Sequence, residues 1–253
     1  MNKKTVIAIL AAVLVLAVAA VSALIVAKNH QEENIPETTT VSVTEKKEKK
    51  DVSAKTAEEL YDPIILKYKD AISKKLNFDQ VANMGVSELC AYFEGSADLA
   101  KVGYLIEDID DNGTPELLIG NINGDEYLDF CVLEMYTIDN GKAVSVFQSY
   151  ERNMFFSLKN GEFENMGSSS AFYSTDTIYT IAGNGKDLKF KEGLIFDSES
   201  KGKDHWFKTK DTDGKTGNDE NISTEEAQKI SMKYDGMRTQ LKYIKLSDYK
   251  GLK

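Results

Sequence analysis

The hydrophobic pattern divides the chain into three parts. Val6 to Ala27 is an apolar run broken only by Ser22, and it is long enough to span a bilayer as a helix. Residues 28–55 are almost entirely polar, so they cannot bury enough apolar surface to offset the entropy of ordering, and we predict a disordered stalk. From 56 to 253 the apolar positions recur with the periods of helices and strands, which predicts one folded domain.

Residues 1–27 have two open interpretations. Lys3 and Lys4 precede the apolar run, which favours a cytoplasmic N-terminus and export of the remainder. A signal peptide would be cleaved after the small residues Ala17-Val-Ala19 or Val21-Ser-Ala23. The run is longer than the roughly 7–15 residues of a signal hydrophobic region, which favours a retained single-pass anchor. We therefore predict an extracytoplasmic domain held at the cell membrane, or a secreted domain if the signal is cleaved.

Helical periodicity occurs at both ends of the folded part. Thr56-Ala-Glu-Glu59 has the sequence of a capping box, and a second box, Ser223-Thr-Glu-Glu226, opens a C-terminal helix with Ile230 and Tyr234 on its buried side. A shorter helix is predicted over 86–93, and a short helix or strand over 237–244. The first helix is predicted from apolar residues that recur three or four positions apart: Leu60, Tyr61, Ile64, Ile65, Tyr68, Ile72 and Leu76.

Between these helices the pattern changes to short alternating segments. Asn-Gly dipeptides at 140–141, 160–161 and 184–185 are strong signals for hairpins. Helices, then hairpin-linked strands, then a helix indicate an α+β fold built on an antiparallel β-meander. Strands are predicted over 102–109, 116–119, 128–138, 142–147, 154–159, 162–166, 177–181, 188–196 and 205–210.

Charge limits the partners of the folded part. The chain has a formal net charge of −10. Residues 1–55 hold 8 lysines and 6 acidic residues, which leaves 23 basic and 35 acidic residues, a net charge of −12, for 56–253. An acidic surface repels phosphate backbones and attracts cations, so we predict no nucleic-acid partner.

Two cysteines, Cys90 and Cys131, are present. Export permits a disulfide between them. Both lie among apolar residues, where a free cysteine packs as a small hydrophobic side chain. The sequence leaves both states open.

The acidic loop between the first two predicted strands has the chemistry of a calcium site. Calcium takes roughly 6–8 oxygen ligands, often from side chains at alternate loop positions. Gly113 stands at the sixth position, where the chain must turn sharply, and Asp125 or Glu126 from the next loop are candidates to complete the shell. The predicted ligands are the side chains at positions one, three, five and nine and the backbone carbonyl of the seventh: Asp108, Asp110, Asn112, Glu116 and Thr114.

The segment Tyr104-Leu-Ile-Glu-Asp-Ile-Asp-Asp-Asn-Gly-Thr-Pro-Glu-Leu-Leu-Ile resembles Tyr-x-x-x-Asp-Ile-Asp-Gly-Asn-Gly-x-Pro-Glu-Leu-Ile, a segment of uncharacterised extracytoplasmic proteins of Gram-positive gut bacteria. Its loop is similar to the calcium loops of integrin-type FG-GAP repeats. Asp111 replaces the usual glycine at position four. Position twelve is Ile119 rather than glutamate, and Pro115 leads into a strand, which excludes an EF-hand.

Two interpretations of the loop therefore remain. With no carboxylate at position twelve, a calcium site is expected to have the weak affinity of extracellular modules, on the order of 10⁻⁴–10⁻³ M. The competing interpretation is an acidic turn whose Asp and Asn side chains bond backbone amides.

No catalytic or cofactor-binding residue is predicted. His30 lies in the stalk, and His205 has no metal partner at ligand spacing. The predicted function is a non-catalytic, membrane-tethered binding or structural domain, stabilised by one calcium loop, whose partner is a cell-surface protein or glycan. The alternative is a secreted hydrolase or hydrolase accessory domain acting on cell wall or glycan. A deep pocket with paired carboxylates or His205 would favour the hydrolase.

Overall fold

The computed structural model of the protein describes residues 55–122, 128–201 and 204–252. The predicted anchor and, apart from Lys55, the predicted stalk lie outside the described residues, as do Asp125 and Glu126. Among the residues that are described, no helix is both long and apolar enough to cross a membrane.

In the described residues, three α-helices flank the strands: α1 (Ala57–Ser73), α2 (Phe78–Met84) and α3 (Thr224–Asp235). The first and last confirm the capping predictions, because Thr56 forms its box with Glu59 and Ser223 accepts a bond from the Glu226 amide. The helix predicted over 86–93 is wrong. Gly85 ends the unpredicted α2 in the left-handed conformation (φ 67°), and only a short 3₁₀ turn, Glu88–Tyr92, fits before the extended Phe93.

The strands form one antiparallel sheet, which confirms the α+β class and the β-meander. The nine predicted strands form, and a short strand over Glu220–Ile222 is additional. The short helix or strand predicted over 237–244 is wrong in its bounds, because only Ile244 of that stretch belongs to a strand, Ile244–Lys245. In order along the chain the strands are β1 (Val102–Glu107), β2 (Glu116–Asn121), β3 (Cys131–Asp139), β4 (Lys142–Gln148), β5 (Asn153–Ser157), β6 (Phe163–Ser168), β7 (Tyr173–Ile181), β8 (Leu188–Asp197), β9 (Trp206–Thr209), β10 (Glu220–Ile222) and β11 (Ile244–Lys245).

Most neighbours in the sheet are also neighbours in sequence. The order is β10-β9-β8-β7-β6-β5-β3-β2-β1-β11, and β4 pairs with β3 outside this path. The long strand β3 therefore pairs with β4 along one part and with β5 along another. Asn140 and Gly141, at the β3–β4 turn, both have positive φ (49° and 71°), as the type I′ hairpin requires.

The two faces of the sheet have separate apolar cores, and β5 contributes to both. Phe156 packs in the core beneath α1, whereas Phe155 belongs to an aromatic cluster on the opposite face, where its ring stacks on Phe147 at 4.2 Å. Cys90 and Cys131 are buried free thiols in the core beneath α1, so they do not form the disulfide.

A buried carboxylate connects α1 to the β3–β4 hairpin. Glu134 accepts hydrogen bonds from the Tyr68 hydroxyl, from Ser145 Oγ at 2.9 Å and from Gln148 Nε2 at 3.0 Å. The Tyr68 oxygen in turn accepts one from the Ser87 amide at 2.9 Å. Burial, with the Glu134 charge, raises the pKa of Tyr68. This network is fully paired, and we assign it a structural role.

Two paired glycines in β1 and β2 make room for a tyrosine. Gly103 and Gly120 are register partners, and the Tyr243 side chain lies against both. A Cβ on Gly120 would overlap the Tyr243 hydroxyl. We expect Gly120→Ala to lower the free energy of unfolding by about 1–3 kcal/mol in urea denaturation, because the ring or the strand must move. Gly183→Ala, with open space around its Cβ, is the control and should be near neutral.

Candidate functional site

The β1–β2 connection brings three carboxylates together. Asp108 and Asp110 follow the end of β1, and Glu116 is the first residue of β2. Ligand oxygens of the three side chains all lie within 4.8 Å of one another. Because carboxylates repel one another in the absence of a counter-charge, this arrangement is a candidate for a cation site.

The turn itself is held by side-chain bonds to backbone amides. The Asp108 carboxylate accepts from the amides of Asn112 (3.0 Å) and Gly113 (2.8 Å). Asn112 Oδ1 accepts from the Thr114 amide at 2.7 Å, and its Nδ2 donates to Asp110 at 2.9 Å. Of the five predicted ligands, the three carboxylates converge, while the side-chain oxygen of Asn112 is engaged by the Thr114 amide, a bond that does not involve the Thr114 carbonyl. The bonds expected of an acidic turn are present as well.

Backbone conformation explains two positions of the loop. Gly113 has φ 88°, which only glycine adopts readily, and this agrees with the sharp turn predicted there. Asp111 has φ 57°, in the left-handed region that glycine, asparagine and aspartate tolerate best. The exposed Asp111 side chain therefore replaces the glycine of the similar segments at a position that requires a left-handed residue.

Glu116 is the buried member of the cluster. Its side chain is 0% exposed and accepts from the Ile109 amide at 3.0 Å and from the Thr137 hydroxyl at 3.1 Å. Burial raises the pKa of Glu116, the charges of Asp110 and Asp108 raise it further, and the two hydrogen bonds lower it. Within the described part of the chain, no lysine or arginine forms an ion pair with any of the three carboxylates.

Neighbouring elements fix the position of the loop. The Tyr61 hydroxyl, from α1, donates to the Pro115 carbonyl at 2.8 Å. The β7–β8 turn covers the other side, so closely that a Cβ on Gly185 would lie 2.7 Å from Asn112 Nδ2. The carboxylates are thus preorganised by contacts from distant parts of the chain.

A second candidate site, which we call the α3 pocket, lies where β5, β6, β7, β9 and α3 meet. Its volume is about 260 Å³. Met154, Met166 and Asp176 are successive register partners across β5, β6 and β7, so they project from the same face of the sheet. The pocket is lined by these three residues and by Arg152, Ser168, Ser174, Trp206 and Ser231, among others.

Asp176, which lines the α3 pocket, has a second acidic side chain as its neighbour. Glu164 is a diagonal neighbour of Asp176 on the adjacent strand. Arg238, which follows α3, donates from Nε to one Glu164 oxygen at 2.6 Å and from Nη2 to the other at 2.8 Å. Asp176 accepts from Ser231 Oγ at 2.9 Å. Burial, then the Glu164 charge, raises the pKa of Asp176 to about 8, so this carboxyl is protonated at neutral pH.

Sequence reasoning did not identify the α3 pocket. One usable signal was present, since Arg152 and Arg238 are the only two arginines in the chain. The planar guanidinium suits buried carboxylates better than lysine does. His205 does not line the α3 pocket, and its ring lies edge-on to Phe196 with centroids 6.4 Å apart.

Comparison with protein-family models, with curated proteins and with solved structures found no match to this chain. The candidate sites are therefore argued from their own geometry.

Proposed function

We propose that the protein is an extracytoplasmic, membrane-tethered binding domain whose β1–β2 loop is stabilised by one calcium ion. The observation that carries the calcium proposal is the convergence of Asp108, Asp110 and Glu116 without a positively charged partner in the described residues. Tethering and export rest on the sequence of residues 1–27.

The donor set fits a hard cation. All three groups offer carboxylate oxygens, which calcium prefers, and no soft ligand lies in the cluster. Glu116 favours an ion most strongly, because a buried carboxylate next to two others is costly unless a charge compensates it. Asp108, Asp110 and Glu116 would hold the ion. Asn112 Oδ1 would join them only if the bond that it accepts from the Thr114 amide rearranged, whereas that bond leaves the Thr114 carbonyl free to bind the ion.

Calcium is expected to raise the melting temperature of the purified full-length chain. At concentrations roughly 10–100 times the dissociation constant, one site adds about 1.4–2.7 kcal/mol to the free energy of unfolding. Asp110→Asn should abolish this increase. In chelator, the same variant should be no less stable than the wild type, because removing one charge relieves repulsion with Glu116.

Asp111→Asn is the matched control, since Asp111 is exposed and is not part of the three-carboxylate cluster. It should retain the full calcium response. Differential scanning calorimetry of the three proteins in chelator and in millimolar calcium provides the measurement. A wild-type melting curve that is unchanged by calcium would contradict the proposal, as would an equal response in Asp110→Asn.

The hydrolase alternative draws support from the neighbouring acidic residues Asp176, which lines the α3 pocket, and Glu164. Two-carboxylate catalysis needs both groups free to act on the substrate. Here Glu164 is 0% exposed and both of its oxygens are bonded to Arg238, which leaves Asp176 as the acidic group that lines the pocket. This geometry supports binding better than it supports hydrolysis.

A further inference from the structure

The α3 pocket has the size and lining of a site for one small, partly polar ring. Its volume of about 260 Å³ lies just below the range of roughly 300–1,000 Å³ that holds drug-sized ligands. Met154, Met166 and Trp206 supply apolar surface, while Ser174 and Asp176 supply groups that bond hydroxyls. Apolar walls with a few convergent polar groups are typical of ligand sites rather than of packing defects.

Arg152 is a positioned cation at this pocket. Its backbone is in the left-handed region (φ 66°), and its carbonyl accepts from the Ser168 amide at 2.8 Å. Its Nη2 donates to Ser168 Oγ at 3.0 Å, so backbone and side chain are both attached to β6. The other arginine, Arg238, is engaged by Glu164 and Asp235. Arg152 forms no ion pair with any carboxylate of the described segments, and most of its donors are available for an anion.

Asp176 does not oppose an anion in the α3 pocket. Its side chain is 7% exposed, Oδ2 accepts from Ser231, and Oδ1 is buried without a hydrogen-bond partner among the described residues. Because its pKa is raised to about 8, the group is neutral at physiological pH and can donate a hydrogen bond. The pocket therefore combines a fixed positive charge, a neutral carboxyl and an apolar wall.

We propose that the α3 pocket binds one acidic monosaccharide unit, with the sugar carboxylate on Arg152, the ring against Trp206 and Met166, and ring hydroxyls bonded by Asp176 and Ser174. This inference rests on the proposed binding role and names its ligand class. A sugar fits better than a peptide carboxyl terminus, because the lining offers several side-chain partners for hydroxyls in a small volume.

Trp206 makes the proposal directly measurable. It is the only tryptophan in the chain, and it lines the α3 pocket, so intrinsic fluorescence reports this site. We would titrate the full-length chain with glucuronic acid and, in parallel, with glucose, which differs at one carboxylate. Glucuronic acid should change the Trp206 emission with a dissociation constant in the millimolar range, and glucose should bind roughly tenfold or more weakly.

Two variants test whether Arg152 causes the preference for glucuronic acid over glucose. Arg152→Gln should weaken glucuronic acid binding to the level of glucose, and Arg152→Lys should retain part of the preference, since it keeps the charge but loses the planar fork. Lys142→Gln removes an exposed positive charge from β4, outside the pocket lining, and should bind like the wild type. Circular dichroism checks that each variant is folded.

Three outcomes would overturn the proposal. They are an unchanged Trp206 emission with glucuronic acid, an equal affinity for the two sugars, and a stronger response to alanyl-alanine, which carries a carboxylate without a sugar ring. Asp110→Asn separates the two sites. This variant should lose the calcium response, because Asp110 is in the β1–β2 loop. It should still bind glucuronic acid if the pocket proposal is correct, because Asp110 is outside the α3 pocket.

Discussion

Replacing Arg238 with alanine is expected to destabilise the domain by about 3–5 kcal/mol, the typical cost of leaving one partner of a buried ion pair unpaired. Glu164 would stay buried away from water and lose both of its guanidinium bonds. The guanidinium also lies 3.9 Å from the Phe156 ring centroid, and it ties the segment after α3 to the sheet. Urea denaturation followed by far-UV circular dichroism measures the loss.

A second substitution tests this explanation. Adding Glu164→Gln to Arg238→Ala replaces the carboxylate that has lost its ion-pair partner with a neutral amide. The double variant should therefore recover part of the lost stability. Lys229→Ala is the control, because its ion pair with Glu225 is exposed and is worth about 0.5 kcal/mol or less. If Arg238→Ala costs no more than Lys229→Ala, the pair does not have the structural role assigned to it here.

The proton on Asp176 should make stability fall as pH rises. The folded pKa of about 8 exceeds the ordinary value near 3.8, because the side chain is buried beside Glu164. The folded state therefore holds a proton that the unfolded chain releases. This contribution is fully present below about pH 4 and is lost as pH rises through about 8. Between pH 4 and 9 the loss is on the order of 5 kcal/mol.

Asp176→Asn isolates this proton from all other titrating groups. The amide is uncharged at every pH and can donate a hydrogen bond, as the protonated acid can. The variant should match the wild type near pH 4 and exceed it in stability near pH 9. Urea unfolding of both proteins across this range gives the difference, with Asp79→Asn, an exposed aspartate, as the control. A difference that is constant with pH would show that Asp176 is ionised in the folded state.

Local signals in the sequence predicted most of the elements. Capping boxes located α1 and α3, and Asn-Gly turns located the hairpins, because these features act over a few residues. The same approach missed α2, whose Asn77–Gln80 capping box differs from the Ser/Thr–Glu pattern. It also missed β10 and misplaced β11, which are three and two residues long and exist through pairing with β9 and β1.

The carboxylates of the acidic loop were predictable from spacing, because Asp108, Asp110 and Glu116 lie within nine residues of one turn. The tertiary structure added the burial of Glu116 and the contacts from Tyr61 and Gly185 that hold the loop. These contacts come from segments that are distant in sequence, so no local pattern encodes them.

The sequence by itself determined the fold class, the sheet-forming segments and the acidic loop, since all of these follow from short-range periodicity and turn chemistry. Only the tertiary structure decided that Arg152 and Asp176 line one pocket, and that the ion pair of Glu164 and Arg238 lies beside Asp176. The reason is physical. Which buried charges become neighbours depends on strand register and on where α3 packs, and both are set by long-range contacts along the whole domain.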